Sequence, residues 1–97
     1  MGKLGFSWDP KKARSNERKH GVSFEEAQSV FSDENGLLLD DPDHSEHEAR
    51  YLLLGVSSSL RILVVSHTLR DADTIRIISA READVSENRQ YLERLGK

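Results

Sequence analysis

His67, Arg70, Arg76 and Arg81 fall within one short stretch, HTLRDADTIRIISARE, where guanidiniums surround the apolar run IRII. Arginine offers planar pairs of donors that match two oxygens of one phosphate, and histidine can exchange a proton near neutral pH. In a strand, alternate residues face opposite sides. Arg76 is therefore expected to share a face with Thr74, Ile78 and Ala80, with Arg81 lying beyond the strand where a last helix begins. A hairpin turn through RDAD would then bring Arg70, Arg76 and His67 onto one sheet surface. Guanidiniums gathered in one concavity repel each other, so such a cluster asks for an anion, either a carboxylate or a phosphate.

If that anion is RNA, cleavage needs little from the protein. A base must take the 2′-hydroxyl proton, cations must stabilise the extra charge of a phosphorane-like transition state, and an acid must protonate the leaving 5′-oxygen. The nucleophile belongs to the substrate, so the reading requires no metal and no cofactor. Arg70, Arg76 and Arg81 are candidates for charge stabilisation, and His67 or Lys19 for proton movement. Glu48 is a further candidate base, although a surface pair with Arg50 is the plainer account of it. His44 and His47, beside Glu48, are conceivable metal ligands. They sit in an acidic loop without the H-E-x-x-H spacing and are read as solvated polar residues, so no metal site is assigned. Other chemistries are disfavoured: the chain has no cysteine, no Gly-flanked serine after a strand and no G-x-x-x-x-G-K phosphate loop.

The elements that must position these residues follow from pattern. Asp9 as N-cap, Pro10 in the first turn and Gly21 after Lys19 and His20 bound a first helix. Ser23 with Glu26 three residues later starts a second, with Phe24, Ala27, Val30 and Phe31 along one side. LLL at 37–39 fits a short edge strand, and YLLLGV, RILVVSHT and TIRIISA read as three consecutive strands of a meander. The tail is helical by composition, with Ser86 as a candidate N-cap before Tyr91, Leu92 and Leu95. The expected fold is α+β: two N-terminal helices packed on a four-stranded antiparallel sheet, followed by a C-terminal helix.

Ninety-seven residues, 36% hydrophobic and 32% charged, suit a single domain over 1–97. The net charge of −3 hides a division. Residues 1–20 carry Lys3, Lys11, Lys12, Arg14, Arg18 and Lys19 against Asp9 and Glu17, whereas residues 21–48 hold nine acids and no Lys or Arg. A basic and an acidic patch can serve two partners, or both can be solvated faces. Lys12, Arg14 and Arg18 on the first helix are candidates for holding an RNA backbone, with His20, Arg50 and Thr68 beside the cleavage candidates. Apolar runs such as ILVV are too short to cross a bilayer and no apolar signal follows Met1, so a cytoplasmic protein without a membrane partner is expected.

The blocks FSWDPKKARSNERKHGVSFEEAQSVF, DPDHSEHEAR and VVSHTLRDADTIRIISAR, followed late by Tyr91, resemble the BrnT family of bacterial toxins from Phe6 to Tyr91. The resemblance implies a RelE-like fold and the toxin half of a type II toxin–antitoxin pair, which arrests translation by cleaving RNA. It further implies a cognate ribbon-helix-helix antitoxin, BrnA-like, whose complex with the toxin binds operator DNA. The positions matching the family pattern are Lys19, His20, Glu48, Arg50, His67, Thr68, Arg70, Arg76, Ser79 and Arg81, without an assignment of proton donor or acceptor. The chain departs from the family after ISAR, where Glu82, Asp84 and Glu87 stand in place of a basic run. A module that binds nucleic acid or an antitoxin without catalysis is the alternative, and arrest of bacterial growth on expression separates the two.

Overall fold

The computed structural model describes residues 4–41 and 48–96. A short strand β1 (Gly5–Ser7) leads into helix α1 (Pro10–His20) and helix α2 (Phe24–Ser29), which ends in a 3-10 turn over Val30–Ser32. Strands β2 (Leu37–Asp40), β3 (Tyr51–Val56), β4 (Ile62–Asp71) and β5 (Thr74–Glu82) follow, and helix α3 (Val85–Gly96) closes the order. The sheet order is β1-β5-β4-β3-β2. Its last four strands are the antiparallel meander expected from the sequence, with LLL at one edge. The fifth is a correction: GFS pairs parallel to β5, Gly5 with Thr74 and Ser7 with Arg76, so the sheet is five-stranded and mixed. Three residues are too few to show a period-two pattern, and parallel pairing over some seventy residues of chain leaves no local signature.

Local chemistry sets the helix ends. The Asp9 carboxylate accepts the Lys11 N–H at 2.9 Å, Pro10 takes the first helical position, and Gly21 at φ 71° donates its N–H to the Glu17 carbonyl. Ser23 Oγ caps α2 by accepting the Glu26 N–H. At α3 the cap is Asp84 rather than Ser86. Glu87 N–H donates to Asp84 Oδ1 at 2.8 Å and Asp84 N–H donates to Glu87 Oε1 at 2.9 Å, a reciprocal box that Ser86 cannot form.

One sheet face is covered by α1 and α2 over Val22, Phe24, Ala27, Val30, Leu53, Leu63, Val65, Ile77 and Ala80. The other, under α3, is smaller and centres on Leu54, Val64 and Tyr91. Burial at this scale is the main driving force for folding. Asn16, the buried residue of α1, ties the first layer to the sheet. Its Nδ2 donates to the carbonyls of Ala80 and Val22 and its Oδ1 accepts the Ala80 N–H. One side-chain amide thereby satisfies the outer edge of β5 beyond the reach of β1.

Candidate functional site

The site is set by an irregularity in β5. Ser66 pairs with Ser79 and His67 pairs with Ile77, which leaves Ile78 as an extra residue, a β-bulge. The bulge reverses the alternation expected from a regular strand. Ala80 joins Ile77 under the helices, while Arg76, Ser79 and Arg81 face the α3 side. Arg81 lies inside β5, paired with Val64, rather than beyond the strand.

Two pockets meet at this bulge. One, of about 200 Å³, is lined by Lys12, Ser15, Asn16, Lys19 and His20 of α1 together with Ile78 and Ser79. The other, of about 260 Å³, is lined by Asp41, Arg50, Leu52, Ser66 and Arg81, again with Ile78 and Ser79. Sharing Ile78 and Ser79, the two adjoin as one groove over the outer edge of β5, beside the point where Asn16 pairs with Ala80. Ser66 and Ser79 face each other across the strand pair, and their short hydroxyl side chains leave the floor open. A larger hollow of about 620 Å³ beside Leu4, Phe6 and Phe31 contains none of these cations.

The structure therefore brings together Lys12, Lys19, His20, Arg50 and Arg81, with Glu48 against Arg50, and separates the other candidates. The convergence of Arg70, Arg76 and His67 does not occur. Arg70 is exposed in an irregular stretch of β4 near the hairpin tip, roughly 20 Å along the strand from Arg81. Arg76 is half-buried beside Thr68, whose Oγ1 donates to the Ala49 carbonyl at 2.7 Å. His67 points to the opposite, helix-covered face and is 4% exposed. Its ring sits edge-on to Phe31 at 4.8 Å and its Nδ1 lies 3.1 Å from the Val65 carbonyl. Burial pushes its pKa below the usual value despite that carbonyl contact. Arg14 and Arg18 lie roughly 160° around α1 from Asn16, facing solvent away from the groove. Glu48 approaches Arg50 Nε at 3.8 Å, the surface pair anticipated from sequence. His44 and His47 lie outside the described residues. Among the described residues no group of three metal-ligating side chains is assembled.

Arg81 is held tightly. Nη1 and Nη2 donate to the two oxygens of Glu87 at 2.8 and 2.9 Å, and Nη1 also donates to the Glu82 carbonyl at 3.2 Å. The Glu87 carboxylate raises the Arg81 pKa against the effect of burial. Arg81 in turn holds Glu87 below the usual carboxylate range. Sequence reasoning noted Glu87 only as a departure from a basic run. The spacing Asp84-x-x-Glu87 was the signal that this carboxylate is fixed in place.

A family model described as ribonuclease toxin, BrnT, of type II toxin–antitoxin systems matches residues 8–87. No curated protein matches the chain. Among solved structures, the crystal structure of the Brucella abortus ribonuclease toxin BrnT superposes with a TM-score of 0.62. The match has 23% identity and covers 84% of this chain and 99% of that one, a likeness of fold.

Proposed function

The chain belongs to the BrnT family of ribonuclease toxins of type II toxin–antitoxin systems, and from that premise we propose a metal-independent endoribonuclease that turns the substrate's own 2′-hydroxyl on the adjacent phosphorus. The observation that carries this reading is a pair of pockets sharing Ile78 and Ser79, one walled by Lys12, Lys19 and His20 and the other by Arg50 and Arg81 with the carboxylate of Asp41 beside them. A phosphodiester backbone laid across the β5 edge meets Lys12, Lys19 and His20 on one side and Arg50 and Arg81 on the other. Arg81 and Arg50 stabilise the additional charge of the pentacoordinate phosphorus. Lys19, His20 and Glu48 are the groups available to move protons, one removing the 2′-hydroxyl proton and another protonating the 5′-oxygen as its bond to phosphorus breaks. The products are a 2′,3′-cyclic phosphate and a free 5′-hydroxyl. His67 takes no part in this reading, because its ring packs on the other face of the sheet.

Cleavage of this kind arrests translation in the cytoplasm. Type II systems supply a protein antitoxin, and we place its neutralising contact on the same cations: carboxylates of a ribbon-helix-helix partner would compensate Arg50 and Arg81 in place of phosphate, in a complex that also binds operator DNA. The test is incubation of purified protein with RNA in excess EDTA. Fragments ending in 2′,3′-cyclic phosphate are expected, and loss of cleavage on chelation would overturn metal independence. A protein that binds RNA, leaves it intact and does not arrest growth on expression would be the non-catalytic module instead.

A further inference from the structure

Of the N–H donors that a guanidinium carries, three of Arg81's are engaged: both on Nη1, by Glu82 and Glu87, and one on Nη2, by Glu87. The Nε–H and the second Nη2 hydrogen take no partner among the described residues. These two hydrogens lie along one edge of the planar group and match two oxygens of a single phosphate. The carboxylate that leaves this edge clear is itself fixed. Glu87 Oε1 accepts from the Asp84 N–H as well as from Arg81, and the Glu87 N–H is returned to Asp84 Oδ1. The reciprocal cap of α3 thus doubles as a clamp on a side chain of the groove wall.

We propose that Glu87 is a positioning residue for RNA cleavage: it grips Arg81 by the Nη1–Nη2 end so that the Nε–Nη2 edge is presented to a phosphodiester in the groove. The inference rests on the ribonuclease reading above. It opposes the simpler expectation from charge alone, in which an acid beside a phosphate site weakens the field and competes for the arginine. The two accounts differ in sign. If Glu87 competed, its removal would speed the reaction. If it positions, its removal frees a long flexible side chain and slows the reaction by misplacing the donors.

The experiment uses the full chain and two readouts. In the first, the 15N-resolved Nε–H signal of Arg81 is followed on adding a 2′-O-methyl RNA oligonucleotide, which cannot be cut. The signal is expected to shift with oligonucleotide in the parent protein and in D84A, which loses the Oδ1 acceptor of the cap but keeps the residue-84 N–H to Glu87 and the fork. It is expected to broaden and stop responding in E87A. No response in the parent, or an unchanged response in E87A, overturns the proposal whether or not any RNA is cleaved. In the second, cleavage of ordinary RNA is measured. E87A is expected to lower kcat about tenfold with KM changed far less, E87Q to recover part of the loss, and R81A/E87A to be no slower than R81A. Cleavage by E87A at or above the parent rate, or a loss in D84A equal to that in E87A, sinks it. A parent protein whose Arg81 signal responds to the oligonucleotide but which leaves ordinary RNA whole removes the ribonuclease reading, and with it the positioning role.

Discussion

Arg61 and Arg81 both meet a carboxylate through two parallel hydrogen bonds, yet they present opposite edges. Arg61 gives Nε and Nη2 to Glu26, Nη1 to Glu82 and a further Nη2 hydrogen to the Gly21 carbonyl. Its ligand-matching edge is consumed inside the fold, where it joins the start of α2, the end of α1 and the end of β5. Arg81 gives its far end to Glu87 and keeps the Nε edge. The neighbours Arg81 and Glu82 point to opposite faces of β5, so one strand end supplies a groove on one side and a structural ion pair on the other. Residue type does not separate the two roles. The count of donors already satisfied does.

The sharpest way to break this comparison is to truncate each arginine. R81A is expected to lower RNA cleavage by about 10²–10³, the usual cost of removing one charge-stabilising donor, while the folded state loses under about 1 kcal/mol. R61A should do the reverse. It strands the Glu26 carboxylate, which is only 12% exposed, and is expected to cost about 2 kcal/mol of stability with the folded fraction still active. Single-turnover cleavage and urea melts on both variants check this, and an exchange of the two phenotypes would refute the division. Acid adds a second check. Hydrogen bonds from Arg61 hold Glu26 below its usual value of 4.5, aided by Ser57 and against the effect of burial. The stability this gives is present above pH 4.5 and is lost as pH falls through the lower folded value, so R61A should unfold with a shallower acid dependence.

How much of this was legible beforehand depended on the range of the interactions. Asp9, Pro10, Gly21 and Ser23 act within one or two turns, and they marked both ends of α1 and the start of α2 correctly, whereas the helical spacing carried through Val30 and Phe31 falls in a 3-10 turn. The bulge at Ile78 carries no composition signal, since its neighbours are ordinary strand formers. Missing it placed Ala80 on the face of Arg76, and missing the second irregularity, at Arg70, placed His67 beside the arginines. The Arg61 network joins residues 21, 26, 61 and 82, a set that only the finished fold brings together. Glu26 shows the limit well. Its spacing from Ser23 announced a capping box, and the backbone half of that box formed. Its carboxylate turned to Arg61 and Ser57 instead, where charge assistance outweighs a return bond to a neutral N–H.

A smaller effect is expected at Tyr91, which anchors α3 one turn beyond Glu87 by donating to Asp33 Oδ2. Y91F should cost about 1 kcal/mol, because Asp33 still accepts the N–H groups of Val56 and Asn35. Burial, then the bond to Asp33 and its charge, push the Tyr91 hydroxyl up from 10.0 to about 12. A folded value above the unfolded one means that this stability is full below pH 10 and disappears between pH 10 and about 12. Alkaline melts should show that loss in the parent and not in Y91F. If α3 positions Arg81 through Glu87, Y91F should also slow cleavage slightly, whereas its stability effect alone would leave the activity of each folded molecule unchanged.

The smallest expected effect tests whether the two arginine sites are independent. Leu60 holds a left-handed conformation at φ 63° in the turn that delivers Arg61, and the residue is 85% exposed. An L-residue pays about 1 kcal/mol for that backbone and nothing in the turn repays it through packing, whereas glycine adopts it freely. Glycine also gains disorder on unfolding, so L60G should stabilise by only about 0.5 kcal/mol. Because Arg61 keeps its partners Glu26, Glu82 and Gly21, none of which lines the groove, cleavage should not change. A stabilised variant with altered cleavage would mean that the turn and the groove communicate through Glu82 and Arg81, and the separation drawn between the two arginines would then be one of degree.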